Sequence, residues 1–138
     1  MSNWQLYNPN PSHNRVGDCT VRAISKALGQ DWETTYAGLA AYGFIRGDMP
    51  NANHVWGAYL KSKGFIQYVI DDRGNDIYTV NDFCIDNPNG TYILAIDGHV
   101  VCVVDGLYYD SWDSGNEIPI YCWIKQKHKN NGGQNEDL

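Results

Sequence analysis

The sequence lacks long apolar runs. Residues 1–14 contain no apolar core of signal-peptide length. No later stretch approaches the roughly 18 consecutive apolar residues from which a membrane-spanning helix is recognised. We therefore expect a cytoplasmic protein with no membrane partner.

Positive charge is also scarce. Ten Lys and Arg residues stand against sixteen Asp and Glu residues, so the net charge is −6. Binding to a phosphate backbone depends on a cationic surface that releases counterions, which this balance does not offer. The sequence thus predicts no nucleic-acid partner. With 138 residues, of which 43% are hydrophobic, the chain has the size and composition of one folded domain.

Close cysteine pairs are missing as well. The four cysteines are Cys19, Cys84, Cys102 and Cys122, and none forms the C-x-x-C spacing of zinc or redox sites. We expect free thiols, with no metal and no organic cofactor. Cys84, Cys102 and Cys122 fit the usual role of free cysteines as small buried apolar residues.

Helical spacing of apolar residues dominates the first half of the chain. The predicted helices cover residues 19–28, 31–42, 53–63 and, as a short turn, 79–85. Asp18 is the predicted N-cap of the first helix. Gly29, Gly43 and Gly64 are predicted to end the first three, because glycine accepts the left-handed conformation found after helices.

Patterns typical of β-strands dominate the second half. The predicted strands cover residues 65–70, 91–96, 99–104, 107–112 and 118–125, with a turn at 71–75. Asp97-Gly98 and Asp105-Gly106 are dipeptides that favour two-residue hairpin turns, so three of these strands form an antiparallel meander. The predicted fold class is α+β, with N-terminal helices packed on an antiparallel sheet.

The two ends of the chain differ in composition from the middle. Residues 1–17 are rich in Asn, Pro and Ser and predict an extended lead-in. Residues 126–138 are polar, rich in Gly and Asn, and nearly free of apolar side chains. The sequence therefore predicts a single domain over residues 1–125 and a disordered C-terminal tail over 126–138.

The hairpin at Asp105-Gly106 defines a strand register. If these residues form the two-residue loop, His99 lies opposite Trp112 and Val101 lies opposite Asp110. Opposed residues share a face, as do residues two apart on one strand. His99 and Asp110 should then be diagonal neighbours. Asp113 is the alternative acid, but its odd offset points it towards the other face.

Cys19 begins the first predicted helix, where exposed N–H groups and the helix dipole stabilise an anion. A thiolate, an imidazole and a carboxylate together suit covalent catalysis. The sulfur attacks a carbonyl, the imidazole moves the proton, and the carboxylate orients the ring. Cys19, His99 and Asp110 are therefore the predicted catalytic residues.

Three segments carry a resemblance to a known family: Gly17-Asp18-Cys19, Gly98-His99-Val100-Val101 and Tyr109-Asp110-Ser111-Trp112. In this order they resemble the papain-like cysteine peptidase superfamily, especially its small bacterial and phage C39-like members. The resemblance implies a papain-like fold, a peptide or protein substrate, and hydrolysis of a peptide or isopeptide bond.

One family feature is absent. The family places a Gln side chain of the oxyanion hole about six residues before the cysteine, and this chain has His13 there. The amide of Asn10 or Asn14 could replace it, and the sequence does not choose between them. Two other functions stay open: a catalytically silent papain-fold binding module, and a thioester-forming acyl or peptidyl transferase.

Overall fold

The computed structural model describes residues 2–71, 77–129 and 135–137. The helices are α1 (Cys19–Leu28), α2 (Trp32–Arg46), α3 (Asn53–Ser62) and α4 (Val80–Asp86). The strands are β1 (Trp4–Leu6), β2 (Phe65–Val69), β3 (Thr91–Ile96), β4 (His99–Val104), β5 (Leu107–Asp110), β6 (Tyr121–Lys125), β7 (Lys127–Lys129) and β8 (Asn135–Asp137). The predicted α+β class is confirmed.

The main sheet has six strands in the order β1-β5-β4-β3-β6-β2. All its pairs are antiparallel except β1 with β5, which is parallel. The prediction of a wholly antiparallel sheet is therefore wrong at this edge. The reason is that the extended lead-in adds a three-residue strand to the free edge of β5, a pairing that no local turn specifies.

The meander follows the predicted register. Val104 pairs with Leu107, and Cys102 pairs with Tyr109. Asp105 and Gly106 have φ values of 50° and 78°, as a type I′ turn requires at both central positions. Strand β5 ends at Asp110, before the predicted end at residue 112.

Alternating side chains give the sheet two buried faces. From β4, Val100 and Cys102 join a core cluster with side chains of α1, α2 and α3. Val101 and Val103 join a second cluster with side chains of α4. The sheet thus lies between three helices and one short helix, and this packing positions the N-terminus of α1 near the start of β4.

Helix α2 is longer than predicted. It runs to Arg46 and ends at Gly47, which is left-handed with φ 71°. Gly43 is buried within the helix, where a Cβ atom would lie 2.6 Å from the backbone oxygen of Asp48. The predicted stop at Gly43 is wrong, because that glycine permits close packing instead. The predicted stop at Gly29 is confirmed by its φ of 64°.

The predictions for the turn at 71–75 and for the C-terminal tail have different outcomes. Most of the turn predicted at 71–75 lies outside the described residues. In the predicted tail the structure assigns the short antiparallel strands β7 and β8. Residues 130–134 and 138 lie outside the described residues, and the disorder of the tail stays a prediction. None of the described helices is long and apolar enough to cross a membrane.

Candidate active site

Cys19 is the first residue of α1 and is half-buried. Asp18 occupies the predicted N-cap position, but its side chain makes no capping hydrogen bond. Its carboxylate instead accepts hydrogen bonds from the Arg22 guanidinium and, at 2.9 Å, from Trp32 Nε1. The position of the predicted cap is therefore correct and its predicted capping role is wrong.

His99, the first residue of β4, contacts Asp110 as the register predicted. The distance from His99 Nε2 to Asp110 Oδ2 is 2.6 Å, and the Asp110 side chain is 2% exposed. The ring of Trp112 lies against His99 with centroids 4.8 Å apart. Asp113 is engaged elsewhere, because it accepts hydrogen bonds from the Tyr108 hydroxyl and from the Gly115 N–H. Asp110 is thus the acid that contacts His99.

The Cys19 thiol interacts with the same imidazole. Burial alone would raise the pKa of Cys19, but its hydrogen bond to His99 and the nearby positive charge lower the pKa below its usual value. Burial likewise opposes the charged form of His99, yet hydrogen bonds with Asp110 and Cys19 raise the pKa of His99 from 6.5 to about 9. These directions favour a thiolate beside an imidazolium.

Asp110 is held by further donors. The Ser114 hydroxyl donates to Oδ2 at 2.7 Å, and the Ser111 N–H donates to Oδ1 at 2.8 Å. Arg22 donates to Oδ1 at 3.3 Å. Burial would raise the pKa of the Asp110 carboxyl, but hydrogen bonds from His99 and Ser114 keep it below its usual value. The carboxylate is therefore charged and fixed in position.

Arg22 and Ser114 were missed by the sequence reasoning. Arg22 lies four residues after Asp18 on α1, a spacing that signals an ion pair but not the second contact with Asp110. Ser114 lies in the loop after β5, where no pattern points to a contact with Asp110. Both contacts arise from tertiary packing.

The other cysteines behave differently from Cys19. Cys84, Cys102 and Cys122 are buried in the core as free thiols, which confirms the predicted packing role. Burial raises the pKa of Cys84 to about 12 and that of Cys122 to about 11. The pKa of Cys102 is raised as well. Cys19 alone among the four has a lowered pKa.

Two cavities meet at Cys19 and His99. One, of about 930 Å³, lies beside residues 13–17, and the other, of about 350 Å³, lies beside Trp56 and Tyr121. Both are lined by Cys19 and His99. We call the two adjoining cavities together the groove; the thiol lies at the boundary that they share.

The two predicted oxyanion donors are placed differently. Asn14 lines the larger cavity together with His13. Asn10 is 5% exposed, and its Nδ2 donates to the Asp18 carboxylate at 3.5 Å. Asn10 does not line either cavity beside Cys19. Of the two amides, only Asn14 is brought to the groove.

The arrangement is suited to nucleophilic attack on a carbonyl group, since Cys19 and His99 line the groove and the buried Asp110 carboxylate holds the His99 ring from behind. Within the described residues, no cluster of three or more His, Cys, Asp or Glu side chains is arranged to hold a metal ion. Comparison of the chain with protein-family models, curated proteins and solved structures finds no match.

Proposed function

We propose that this protein is a papain-like cysteine hydrolase that cleaves a peptide or isopeptide bond. The observation that carries the proposal is the chain of contacts from Cys19 through His99 to Asp110, at the point where two cavities meet. The lowered pKa of Cys19 supports a nucleophilic thiolate, which its three buried counterparts do not provide.

In the proposed reaction the Cys19 thiolate attacks the carbonyl carbon of the scissile bond and forms a tetrahedral oxyanion. The His99 imidazolium then gives its proton to the leaving amine, the C–N bond breaks, and a thioester remains. His99 next takes a proton from water, which attacks the thioester and releases the acid. Asp110 holds the ring in the orientation that both steps need.

The oxyanion requires hydrogen-bond donors in the groove. We propose that the backbone N–H of Cys19 and the Asn14 amide supply them, with His13 as the neighbouring donor on the same wall of the cavity. Replacement of Asn14 by Ala should lower kcat by about 10²-fold while leaving Cys19 alkylation unchanged. His13→Ala is the parallel variant, and a comparison of the two kcat values shows which side chain stabilises the oxyanion.

Reactivity of the thiol provides the first test. Iodoacetamide at pH 6 should alkylate Cys19 faster than it alkylates glutathione, as mass spectrometry of tryptic peptides would show. A randomised peptide library should be cleaved by the wild type and not by Cys19→Ala, whereas the control Cys122→Ala should cleave it normally. Equal alkylation rates for Cys19 and glutathione, with cleavage retained in Cys19→Ala, would disprove the assignment.

A binding module without catalysis is the second candidate. Two observations favour it: His13 stands at the family's Gln position, and the Asn10 amide is occupied with Asp18. This function predicts neither thiolate reactivity at Cys19 nor cleavage of any peptide. A partner recovered equally well by the wild type and by Cys19→Ala, together with an uncleaved library, would support it over hydrolysis.

A further inference from the structure

A third cavity extends the groove. Its volume is about 470 Å³, and it lies beside the outer part of α3 and strand β2. Asn53 and Tyr121 line both this cavity and the smaller one beside Cys19. The third cavity therefore adjoins the groove at Asn53 and Tyr121 and continues along α3 to Lys61.

This distant end of the groove is positively charged. Arg46, His54 and Lys61 line the third cavity, and no described Asp or Glu lines it. His54 is paired with Asp48 at 2.7 Å. In the part of the chain that the structure describes, Arg46 and Lys61 have no carboxylate within 4.0 Å. Arg46, whose Nε donates to His54 Nδ1 at 3.2 Å, and Lys61 thus border this cavity without a described carboxylate partner, in a chain whose net charge is −6.

The rest of the groove carries little negative charge. Among the described residues, Asp97 is the one carboxylate that lines any of the three cavities. The larger cavity beside Cys19 is lined by Arg15 and Arg22, of which Arg22 is neutralised by buried carboxylates. The carboxylates, which outnumber the basic side chains in the chain, therefore lie mostly outside the groove and the third cavity. Such segregation attracts anionic ligands and repels cationic ones.

The helical rise of α3 gives the distance between Asn53 and Lys61, the first and last residues of this helix that line the third cavity. Lys61 follows Asn53 by eight helical residues, which corresponds to about 12 Å along the helix. An extended peptide advances about 3.3 Å per residue, so that span equals about three to four residues. A peptide that runs along α3 from Asn53 would therefore reach Lys61 about three to four residues farther on, whereas Arg46, whose Nε lies 3.2 Å from His54 Nδ1, is near its start.

We propose that the groove selects polypeptides with acidic side chains on one side of the bond that is cleaved, bound by Arg46 beside the start of α3 and by Lys61 about three to four residues farther along the peptide. The inference rests on the proposed function for its reference point, the scissile bond. It adds the class of substrate, an acidic peptide segment, and the residues that recognise it. Trp123, whose indole N–H has no acceptor among the described residues, lines the same end of the groove.

Binding can be measured without cleavage in the Cys19→Ala protein. The probes are fluorescein-labelled pools of twelve-residue peptides, randomised except for three consecutive positions that are all Glu, all Gln or all Lys. In fluorescence polarisation at low salt, the Glu pool should bind about ten-fold more tightly than the Gln pool, since two exposed ion pairs can supply about that factor. The Lys pool should bind most weakly, and 0.5 M salt should remove the differences.

Lys63 provides a matched control. It lies two residues beyond Lys61, stands over the Tyr59 ring at 5.4 Å, and does not line the cavity. Lys61→Gln should reduce the preference for the Glu pool about three-fold, and the double variant with Arg46→Gln should abolish it. Lys63→Gln removes the same charge and should retain the preference. Equal binding of the Glu and Gln pools, or equal losses in Lys61→Gln and Lys63→Gln, would overturn the inference.

Digestion of the same pools by the wild type separates the two proposals. Cleavage enriched at bonds on one side of the fixed Glu positions, at a constant distance from them, supports both. A Glu preference in binding with no cleavage supports the acidic-peptide site and rejects hydrolysis. Cleavage without any enrichment near Glu supports hydrolysis and rejects the acidic-peptide site.

Discussion

Two His–Asp pairs in this protein have nearly the same geometry and very different surroundings. His99 and Asp110 are 2.6 Å apart with side chains 11% and 2% exposed, whereas His54 and Asp48 are 2.7 Å apart with side chains 48% and 45% exposed. Charge interactions are screened by water at the exposed pair and persist at the buried one. A short contact between imidazole and carboxylate is therefore not enough to identify a site; burial and a third group are needed.

Each pair also has an arginine. Arg22 is buried and donates to the carboxylates of both Asp110 and Asp18. One cation and two anions are therefore held together. Arg46 Nε donates to His54 Nδ1 at 3.2 Å on the surface. The guanidinium in the first case neutralises buried charge, and in the second it can exchange with water. The comparison teaches that the same residue types become a rigid assembly only where the sheet and α1 enclose them.

Removal of Arg22 should have the largest effect. Arg22→Gln leaves the carboxylates of Asp18 and Asp110 buried without their cation, so we expect the free energy of unfolding to fall by about 3–5 kcal/mol. The matched surface change, Arg46→Gln, should leave it nearly unchanged. Urea denaturation followed by tryptophan fluorescence measures both. Equal stabilities of the two variants would contradict the central role given to the buried network.

Titration of His99 should show the next largest effect. Its imidazole should lose its proton with a midpoint near pH 9 instead of 6.5, because Asp110 and Cys19 favour the charged ring. NMR signals of the imidazole across pH 5 to pH 10, assigned with His54→Ala, measure this midpoint. Since the folded pKa is raised, the stabilising contribution of His99 is fully present below about pH 6.5 and is lost as the pH rises through about 9. A midpoint at or below 6.5 would refute this.

Asp110→Asn should reduce the reactivity of Cys19. Without the carboxylate the pKa of His99 falls, the imidazolium no longer stabilises the thiolate, and alkylation by iodoacetamide at pH 6 should slow by about 10- to 100-fold. Asp48→Asn removes the acid of the exposed pair and should not change the rate. A circular dichroism spectrum of each variant confirms folding. If both variants react like the wild type, the proposed coupling from Asp110 to Cys19 is absent.

Ser114→Ala should have the smallest effect. It removes one buried donor to Asp110 Oδ2 but leaves His99 as the other partner of that oxygen. We expect a loss of about 1–2 kcal/mol of stability and a decrease of at most about three-fold in the alkylation rate. Because Ser114 acts only through Asp110, the double variant with Asp110→Asn should react no more slowly than Asp110→Asn alone. An additive loss would contradict this.

Local signals explain why part of the site could be predicted from the sequence. The Asp105-Gly106 turn sets the pairing of β4 with β5, and this register predicted the contact of His99 with Asp110 and favoured Asp110 over Asp113. The start of α1 at Cys19 followed from helical periodicity and the stop at Gly29. Glycine was a less reliable signal of a helix end at Gly43, because this residue lies within α2 and allows close packing against Asp48.

The sequence by itself determined the four helices, the five strands β2 to β6, the hairpin register and the position of Cys19 at a helix start, since these depend on residues close together in the chain. Only the tertiary structure decided that α1 docks with its sulfur beside His99, that Arg22 joins Asp18 to Asp110, and that β1 adds a parallel edge. These contacts connect segments about 80 to 105 residues apart. Their partners are chosen by how apolar faces bury together, and no local pattern encodes that choice.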